Sequence, residues 1–414
     1  MKITAYFSVA IATALALTQA APTQNEEHLQ GHKIPLMHNP EHKRDFKSAM
    51  AKLNHRYPQL KLRVKGPKRN SFRDIVNRGK GGTVPTTNYG PDYEYFGPIQ
   101  VGSTGQTLKL LFDTGSSDIW FPSTDCNTDA CMAHTRFDTQ KSRTFKADSR
   151  TWEIKYGDGS TASGILGSDM VNVGGIKLRQ TIGLALNQSV EFARAPEDGI
   201  FGLAFASLHT VSGVSTFMEN AIATNSVVSP VVSAYLPSKR INGGEGGYYL
   251  FGGIEKDRYV GELTYVPVTK ANYWQVHVSD LKFNGKSLGA YASEVIMDTG
   301  TTLIIVTDAA AQAVHEKIQG AVISKSEGGW VVPCSLRDAT DTISFTLAGK
   351  DFLVPIADLA WDPLLDNSGF CYSGVQGGQK DGLWILGDMF VKNNYCVFDH
   401  NTDKPAIGIA PIKY

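Results

Sequence analysis

A chain of 414 residues with 42% hydrophobic and 19% charged residues can bury a large core, which excludes an intrinsically disordered protein. The 41 glycines favour a body of short strands and tight turns. The formal net charge is zero, but this balance conceals two segments of opposite charge.

The first twenty residues are typical of a secretory signal peptide. The sequence MKITAYFSVAIATALALTQA begins with Lys2, continues as an apolar stretch to Leu17 and ends in small residues near Ala20. It is too short to span a bilayer comfortably, and no later run of about 18 apolar residues follows. We therefore expect a secreted protein without a membrane segment, with the vacuole as the alternative destination.

The next segment is strongly basic. Residues 21–80 carry 14 Lys and Arg against 5 Asp and Glu, or +9, whereas residues 81–414 carry 25 against 35, or −10. A nucleic-acid or membrane-binding arm would have this charge, but in a secreted chain a removable basic partner for an acidic body is more natural. Such a pairing weakens in acid as carboxylates lose their charge, so we expect a zymogen that activates at low pH. The expected junction is near Arg78 and Lys80, in NRGKGGTVPTT.

The body after Thr83 reads as an all-β structure. Short runs of Val, Ile, Leu, Phe and Tyr alternate with clusters of Gly, Asn, Asp and Ser, as in LKLLFD, GGYYLFGG and YWQVHV. Two stretches have apolar residues at helical spacing, residues 215–225 and 307–321.

One sequence occurs twice in the body. Residues 110–120 are LLFDTGSSDIW and residues 295–305 are VIMDTGTTLII, with the two Asp-Thr-Gly motifs 185 residues apart. A second pair of similar segments, residues 198–205 and 381–390, follows each motif after about 85 residues. A duplicated chain with one such carboxylate in each half naturally places its site at the seam between the halves.

The five cysteines fit an oxidising compartment. Cys126 and Cys131 enclose a short polar loop, and Cys334 and Cys371 form the expected second pair. Cys396 is left over, and a buried inert thiol is favoured over a nucleophile.

Few other local motifs carry chemistry. Asn187-Gln188-Ser189 is a glycosylation sequon, a weak signal by itself. No metal-ligand cluster or phosphate loop stands out, so we expect neither a cofactor nor a metal.

The quoted segments LLFDTGSSDIW, VIMDTGTTLII, WEIKYGDGS and WILGD resemble the pepsin family of aspartic proteases, and the resemblance covers the whole chain. GTVPTTNYGPDYEYFGPIQVG and TWEIKYGDGSTASGIL look most like the secreted fungal enzymes of the rhizopuspepsin type. The resemblance implies an all-β, bilobal pepsin-like fold, with two related six-stranded-barrel-type lobes and the active site at their interface. The expected division is a signal peptide (1–20), a propeptide (21–80), an N-terminal lobe (81–265) and a C-terminal lobe (266–414).

Asp113 and Asp298 are the expected catalytic pair. Two carboxylates held close together cannot both ionise readily, so the pair holds one proton between them in acid, as is established for aspartic-protease dyads. The ionised partner can take a proton from water, and the protonated partner can hydrogen-bond the substrate carbonyl. The proton belongs to the pair, so neither aspartate has a fixed role.

The residues after each aspartate are expected to support the pair. Glycine permits close backbone approach. By resemblance, hydroxyl groups bind the outer carboxylate oxygens and the two threonines after the aspartates tie the loops together, although turn hydroxyls are the alternative for each. The supporting residues are Thr114, Gly115, Ser116, Thr299, Gly300 and Thr301.

TWEIKYGDGSTASG fits a β-hairpin tip, which in the family is the flap that closes over substrate. Tyr156 matches the flap tyrosine, and Trp120 matches the tryptophan that supports its hydroxyl. Gly157, Asp158 and Ser160 belong to the same flap, and Asp158 with Ser160 matches the pair that admits lysine to the first pocket in fungal members. For Asp158 an ordinary turn residue is the alternative.

The first substrate pocket is expected to include Leu111, Phe192 and Ile200, each of which is equally credible as core. If lysine enters this pocket, the enzyme could cleave after Lys80 and process its own propeptide. The segment KLNHRYPQL (52–60) resembles the basic, tyrosine-containing segment that covers the active site in zymogens of the family. The resemblance points to Arg56 and Tyr57 as the residues that would cover the dyad.

The sequence therefore predicts a secreted, acid-active aspartic endopeptidase, made as a zymogen, that prefers hydrophobic residues and also accepts Lys beside the scissile bond. The protein is expected to be a monomer whose partners are protein and peptide substrates, its own propeptide as intramolecular inhibitor and pepstatin-like peptides. Neither nucleic acid nor a membrane is expected as a partner. A pepsin-like protein that binds or inhibits without cleaving is the main alternative, and a two-carboxylate glycosidase is a second.

Overall fold

The computed structural model of the protein describes residues 81–90, 92–156, 159–366, 368–378, 382–401 and 403–414. Several predicted features lie outside the described residues: the signal peptide, the propeptide with Arg56, Tyr57, Arg78 and Lys80, and the flap residues Gly157 and Asp158.

Most of the described chain forms short strands. In chain order, β1 to β11 are Gly82–Pro85, Thr87–Tyr89, Glu94–Val101, Gln106–Asp113, Ile119–Pro122, Lys146–Lys155, Thr161–Val173, Ile176–Gln188, Gly199–Gly202, Val231–Tyr235 and Tyr248–Phe251. Strands β12 to β27 are Thr264–Pro267, Lys270–Ala271, Trp274–Phe283, Lys286–Ser287, Ser293–Met297, Ile304–Ile305, Val322–Ser324, Gly329–Pro333, Thr342–Leu347, Lys350–Pro355, Ala360–Pro363, Phe370–Ser373, Val375–Gln376, Leu383–Leu386, Asn394–Asp399 and Ala406–Pro411.

The helices are short. The α-helices α1 to α5 are Asp129–Met132, Phe217–Ala223, Asp308–His315, Ile356–Leu359 and Asp388–Val391. The 3₁₀ helices are Thr139–Lys141, Val190–Arg194, Ala206–Leu208, Asn242–Gly244, Lys256–Arg258 and Cys334–Asp338. Strands predominate over helices among the described residues, which confirms the predicted all-β class.

Both predicted helices are present, but each is shorter than its apolar pattern. Helix α2 begins after Thr216, whose side chain accepts from the Glu219 amide while the Glu219 carboxylate accepts from the Thr216 amide, a capping box. Helix α3 begins after Thr307, which caps the Ala310 amide. The sequence therefore located both N-termini within two residues.

The first lobe is an eight-stranded sheet in the order β2-β3-β4-β9-β5-β8-β7-β6, and β3 also pairs with β7. The second lobe contains a sheet in the order β21-β20-β14-β16-β25-β17-β24, to which β13 and β15 add, and a four-stranded sheet, β18-β19-β23-β22. The described strands thus form two sheet-based lobes that differ in strand number.

The duplicated sequences adopt the same local topology. In the first lobe β4 runs parallel to β9, with Asp113 opposite Gly202, and β5 pairs antiparallel with β9. In the second lobe β16 runs parallel to β25, with Met297 opposite Leu386, and β17 pairs antiparallel with β25. In each half, the strand formed by the later apolar segment therefore lies between the strand that precedes the Asp-Thr-Gly motif and the strand that follows it.

A six-stranded sheet joins the two halves in the order β1-β11-β10-β26-β27-β12. Strands β1, β10 and β11 come from the first half of the body, and β26 and β27 come from the C-terminus. The predicted lobe boundary between residues 265 and 266 falls within β12, which pairs with β27 in this sheet.

The core continues beneath the first catalytic-type motif. The Phe112 ring lies 4.9 Å from the Phe201 ring and 5.0 Å from the Tyr249 ring, centroid to centroid, so both the first lobe and the shared sheet support the end of β4. Among the described residues, no helix is long and apolar enough to cross a membrane.

Candidate active site

The two motif aspartates lie at equivalent strand ends and are almost fully buried. Asp113 is the last residue of β4, and Asp298 directly follows β16. Their exposed fractions are 1% and 0%. A buried carboxylate requires hydrogen-bond partners.

Each carboxylate has the same set of local partners. One oxygen of Asp113 accepts from the Gly115 amide at 2.8 Å, and the other accepts from the Ser116 hydroxyl. One oxygen of Asp298 accepts from the Gly300 amide at 2.9 Å, and the other accepts from the Thr301 hydroxyl at 2.6 Å. The sequence repeat is therefore also a repeat of hydrogen bonds.

The two loops are tied to each other through Thr114 and Thr299. The Thr114 hydroxyl donates to the Met297 carbonyl at 2.9 Å and accepts from the Thr299 amide at 3.0 Å. Reciprocally, the Thr299 hydroxyl donates to the Phe112 carbonyl at 2.7 Å and accepts from the Thr114 amide at 3.2 Å. These four buried hydrogen bonds hold together loops that are 185 residues apart in sequence.

The backbone of the second loop lies against the first carboxylate. A Cβ atom added to Gly300 would lie 2.2 Å from Asp113 Oδ1, far inside van der Waals contact. Only glycine fits this position, so the close backbone approach expected for Gly300 is present.

Backbone hydrogen bonds connect each Asp-Thr-Gly loop to the later apolar segment of the same half. We call residues 202–210 the first brace and residues 386–389 the second brace. In the first, the amides of Leu203 and Ala204 donate to the carbonyls of Asp113 and Ser116, at 2.8 and 2.9 Å. In the second, the amides of Asp388 and Met389 donate to the carbonyls of Thr301 and Thr302, at 2.7 and 2.9 Å.

A buried carboxylate on the first loop was not predicted as functional. Asp118 accepts from the Thr210 amide at 3.1 Å and lies 3.1 Å from Nδ1 of His209, whose side chain is 3% exposed. The Ser117 hydroxyl also donates to the Phe205 carbonyl at 2.6 Å. The first brace is therefore held by side chains as well as by backbone.

Asp388 in the second brace was also missed. Burial, and then the charge of Asp298, raise the pKa of Asp388 well above its ordinary value. Among the described residues its Oδ1 has no hydrogen-bond partner. The available signal was the comparison of the two repeats, since Asp388 occupies the position after the brace glycine where the first half has Leu203.

The hairpin that was predicted as the flap consists of β6 and β7, which pair antiparallel. Trp120 Nε1 donates to the Tyr156 hydroxyl at 2.6 Å, so the expected support of the flap tyrosine is present. At the tip, the Tyr156 amide donates to the Ser160 carbonyl at 2.8 Å, and the Gly159 amide donates to the Tyr156 carbonyl at 3.0 Å. Ser160 is buried at the base of this turn.

The residues predicted for the first pocket come together beside the flap. One buried apolar cluster contains Leu111, Phe192 and Ile200 together with Trp120 and Tyr156. The Phe192 ring centroid lies 5.1 Å from that of Trp120 and 6.0 Å from that of Tyr156.

Two further contacts of this cluster were missed. Trp152 packs with its ring 5.8 Å from Trp120 and donates to the Ile165 carbonyl. His134 Nε2 lies 2.8 Å from the Phe192 carbonyl and links the first disulfide loop to the cluster. The aromatic in TWEIKYG was a signal for Trp152, whereas no local pattern marks His134.

The structure contains disulfides between Cys126 and Cys131 and between Cys334 and Cys371. Cys396 is a free, fully buried thiol in β26, and burial raises its pKa well above the ordinary range. Within the described ranges, no group of three or more His, Cys, Asp or Glu residues could hold a metal ion.

Residues 94–412 match the family model described as eukaryotic aspartyl protease. The chain is 38% identical to Rhizopuspepsin-4 of Rhizopus niveus, over 100% of both chains. It is 37% identical to Syncephapepsin of Syncephalastrum racemosum, over 98% of this chain and 99% of the relative. It is 36% identical to Cathepsin E-A of Xenopus laevis, over 82% of this chain and 85% of the relative.

Proposed function

The chain belongs to the eukaryotic aspartyl protease family, and on this premise we propose that it is a secreted, acid-active endopeptidase, made as a zymogen, whose catalytic pair is Asp113 and Asp298. It is an aspartic-type endopeptidase by its family and relatives. Beyond the family, we propose its residue roles, acid activity, secretion, activation and specificity.

The observation that carries the assignment of the pair is the reciprocal interlock of Thr114 and Thr299. It brings two carboxylates with identical local partners to one seam, while the Gly300 backbone contacts the Asp113 carboxylate. Because charge repulsion disfavours ionising both groups, one proton is shared by the pair in acid.

This shared proton supports hydrolysis without a covalent intermediate. The ionised member takes a proton from a bound water as the water oxygen attacks the peptide carbonyl. The protonated member hydrogen-bonds the carbonyl oxygen and stabilises the charge that develops there. Proton transfer to the leaving nitrogen then completes cleavage and regenerates the pair.

The supporting groups keep both carboxylates oriented. Ser116 and Thr301 each donate to one carboxylate oxygen, and the amides of Gly115 and Gly300 donate to the other oxygen of each aspartate. Because these donors are fixed before substrate binds, little reorganisation is required during the reaction.

The flap cluster supports a hydrophobic preference. Tyr156 and Phe192 belong to a single apolar cluster with Leu111 and Ile200, which suits an apolar substrate side chain beside the scissile bond. Acceptance of Lys there would depend on Asp158, whose carboxylate could pair with the ammonium group. Cleavage after Lys80 would then release the propeptide.

Secretion and activation are supported by the N-terminal sequence. The signal-like residues 1–20 precede a segment of charge +9, which complements the −10 of residues 81–414. Acid protonates carboxylates of the body and weakens this attraction, so release at low pH and dyad chemistry at low pH coincide. We propose that the released enzyme acts as a monomer on proteins and peptides and that pepstatin-like peptides inhibit it.

The test is hydrolysis of denatured haemoglobin or casein at about pH 3 and about pH 7, with and without pepstatin. Wild type, Asp113→Asn and Asp298→Asn are compared with Asp257→Asn, a surface control at an exposed position. We expect acid activity in the wild type and the control, abolished by pepstatin and by either dyad substitution. In unprocessed protein, Asp113→Asn should also prevent release of the propeptide.

A properly folded and processed wild type that cleaves at neither pH would overturn the proposal and favour a pepsin-like binding protein. Activity that survives both dyad substitutions would place the chemistry elsewhere.

A further inference from the structure

We propose that Asn187 is an N-glycosylation site and that its glycan shields an apolar strip beside the flap. The ligand class is an N-linked oligosaccharide. This inference rests on the secretory part of the proposed function, because the modification requires entry into the secretory pathway, but it does not depend on catalysis.

The sequon lies where a glycan can be accommodated. Asn187 is exposed near the end of β8, whereas its neighbour Gln188 is buried. Among the described residues, no group forms a hydrogen bond with the Asn187 side chain. The amide nitrogen is therefore neither buried nor needed by the fold.

The third sequon residue fixes this segment against the flap. The Ser189 amide donates to the Thr161 carbonyl at 2.9 Å, and the Ser189 hydroxyl accepts from the Thr161 amide at 2.9 Å. Asn187 itself is opposite Ser163 of β7. A glycan on Asn187 consequently stands beside the strand that leads out of the flap tip.

The neighbouring side chains give the glycan a role. Leu186 and Val190 flank the sequon and are 37% and 72% exposed. Apolar side chains that are exposed on both sides of the sequon favour association with other surfaces. The 3₁₀ helix Val190–Arg194 contains Phe192 of the flap cluster, so the shielded strip borders the proposed substrate pocket.

The chemical step is a glycosyl transfer. The Asn187 amide nitrogen forms a bond to C1 of the terminal N-acetylglucosamine of a lipid diphosphate-linked oligosaccharide. The bond from C1 to the diphosphate oxygen breaks, the lipid diphosphate leaves with the electron pair, and the amide nitrogen loses one proton. The transfer precedes folding, so the folded structure only has to accommodate the product.

The experiment is translation of the full chain with microsomes, followed by treatment with peptide N-glycosidase. Wild type is compared with Asn187→Gln, which removes the acceptor, and with Ser189→Thr, which preserves both the sequon and a hydroxyl for Thr161. We expect one glycan on the wild type and on Ser189→Thr, removed by the glycosidase, and none on Asn187→Gln.

The outcomes separate the two proposals. A chain that is protected inside the microsomes but unmodified would overturn the glycan and leave the protease assignment intact. A chain that remains outside would overturn the secretory assignment and the glycan together.

Shielding is tested on secreted enzyme by the fluorescence of a hydrophobic dye. We expect a rise for Asn187→Gln relative to Ser189→Thr, while hydrolysis of a short peptide is unchanged. Equal dye fluorescence of Asn187→Gln and Ser189→Thr would overturn the shielding role.

Discussion

The two braces beneath the proposed catalytic loops have related backbones but place their buried carboxylates differently. In the first lobe the carboxylate is on the loop, at Asp118, and the brace supplies its partners His209 and Thr210. In the second lobe the equivalent loop residue is Leu303, and the carboxylate is Asp388 in the brace.

This difference shows which part of a duplicated site is constrained. One amide donation recurs at equivalent positions of the two lobes: the Gly202 amide donates to the Asp118 carbonyl at 3.1 Å, and the Gly387 amide donates to the Leu303 carbonyl at 3.2 Å. The next two amides of each brace also donate to carbonyls of the loop, but not to equivalent ones. The side chains beneath the loops differ: one lobe contains a carboxylate with hydrogen-bond partners, and the other contains a carboxylate whose pKa is raised by burial and then by the charge of Asp298.

The largest effect is expected for Gly300→Ala, which tests whether the two loops must meet closely. The added Cβ would displace the Asp113 carboxylate, and a misplacement of about 1 Å can reduce catalysis about 100-fold. Gly253→Ala is the control, since the three atoms nearest to its added Cβ all belong to the Leu250 side chain, at 3.3 Å or more. The kcat/KM of both variants is measured with their thermal unfolding; a folded Gly300→Ala enzyme with nearly full activity would contradict the geometry.

The second effect tests the symmetry of the interlock. Thr114→Val and Thr299→Val each remove a buried hydroxyl that donates to one carbonyl and accepts from one amide. Two buried groups lose their partners, so each variant should lose about 2–5 kcal/mol of unfolding free energy. Urea unfolding would measure this, with Thr→Ser at each position as the control that keeps the hydroxyl. Clearly unequal losses would show that one lobe dominates the seam.

The third effect is confined to the first lobe. In a double-mutant cycle of Asp118→Asn and His209→Gln, we expect a coupling of about 1.5–3 kcal/mol in unfolding free energy, the range for hydrogen bonds to charged groups. Urea unfolding at mildly acidic pH is the measurement. A coupling below about 0.5 kcal/mol would mean that the contact between Asp118 and His209 contributes little to holding the first brace.

The smallest effect in acid is expected for Asp388→Asn, which tests the charge in the second brace. Burial, followed by Asp298, raises the pKa of Asp388 above its ordinary value of 3.8, so the folded protein retains a proton that the unfolded chain releases. The stability contributed by protonated Asp388 is present below about pH 3.8 and is lost as pH rises towards the folded pKa.

Asparagine cannot ionise, so Asp388→Asn should resemble the wild type in acid and unfold at higher denaturant than the wild type at neutral pH. Urea unfolding across this pH range is the measurement. A difference between the two proteins that does not change with pH would contradict a raised pKa.

The sequence predicted the elements whose signals are local. The alternation of apolar runs and turn residues indicated the strands, and apolar spacing indicated the two helices. In the structure these helices begin after the capping residues Thr216 and Thr307. The end of helix α3 was placed too late. The amides of Lys317 and Ile318 donate to residues three positions earlier, so the tightened last turn continues the apolar spacing beyond the α-helix.

The candidate site was predicted where a motif supplies its own partners. The Ser116 hydroxyl and the Gly115 amide reach Asp113 within three residues, and Thr301 and Gly300 do the same for Asp298. The pairing of His209 with Asp118 spans 91 residues, and neither residue belongs to a pattern that identifies the other. His134 was missed for the same reason, because its contact with the Phe192 carbonyl spans 58 residues.

The sequence by itself therefore determined two equivalent loops, each of which binds the carboxylate of its own aspartate, because these hydrogen bonds run between residues two or three positions apart. Only the tertiary structure decided that Thr114 and Thr299 interlock, that Gly300 contacts Asp113 and that Asp388 is buried near Asp298. These properties depend on distances through space and on exclusion of water, which two loops 185 residues apart acquire only when the lobes pack together.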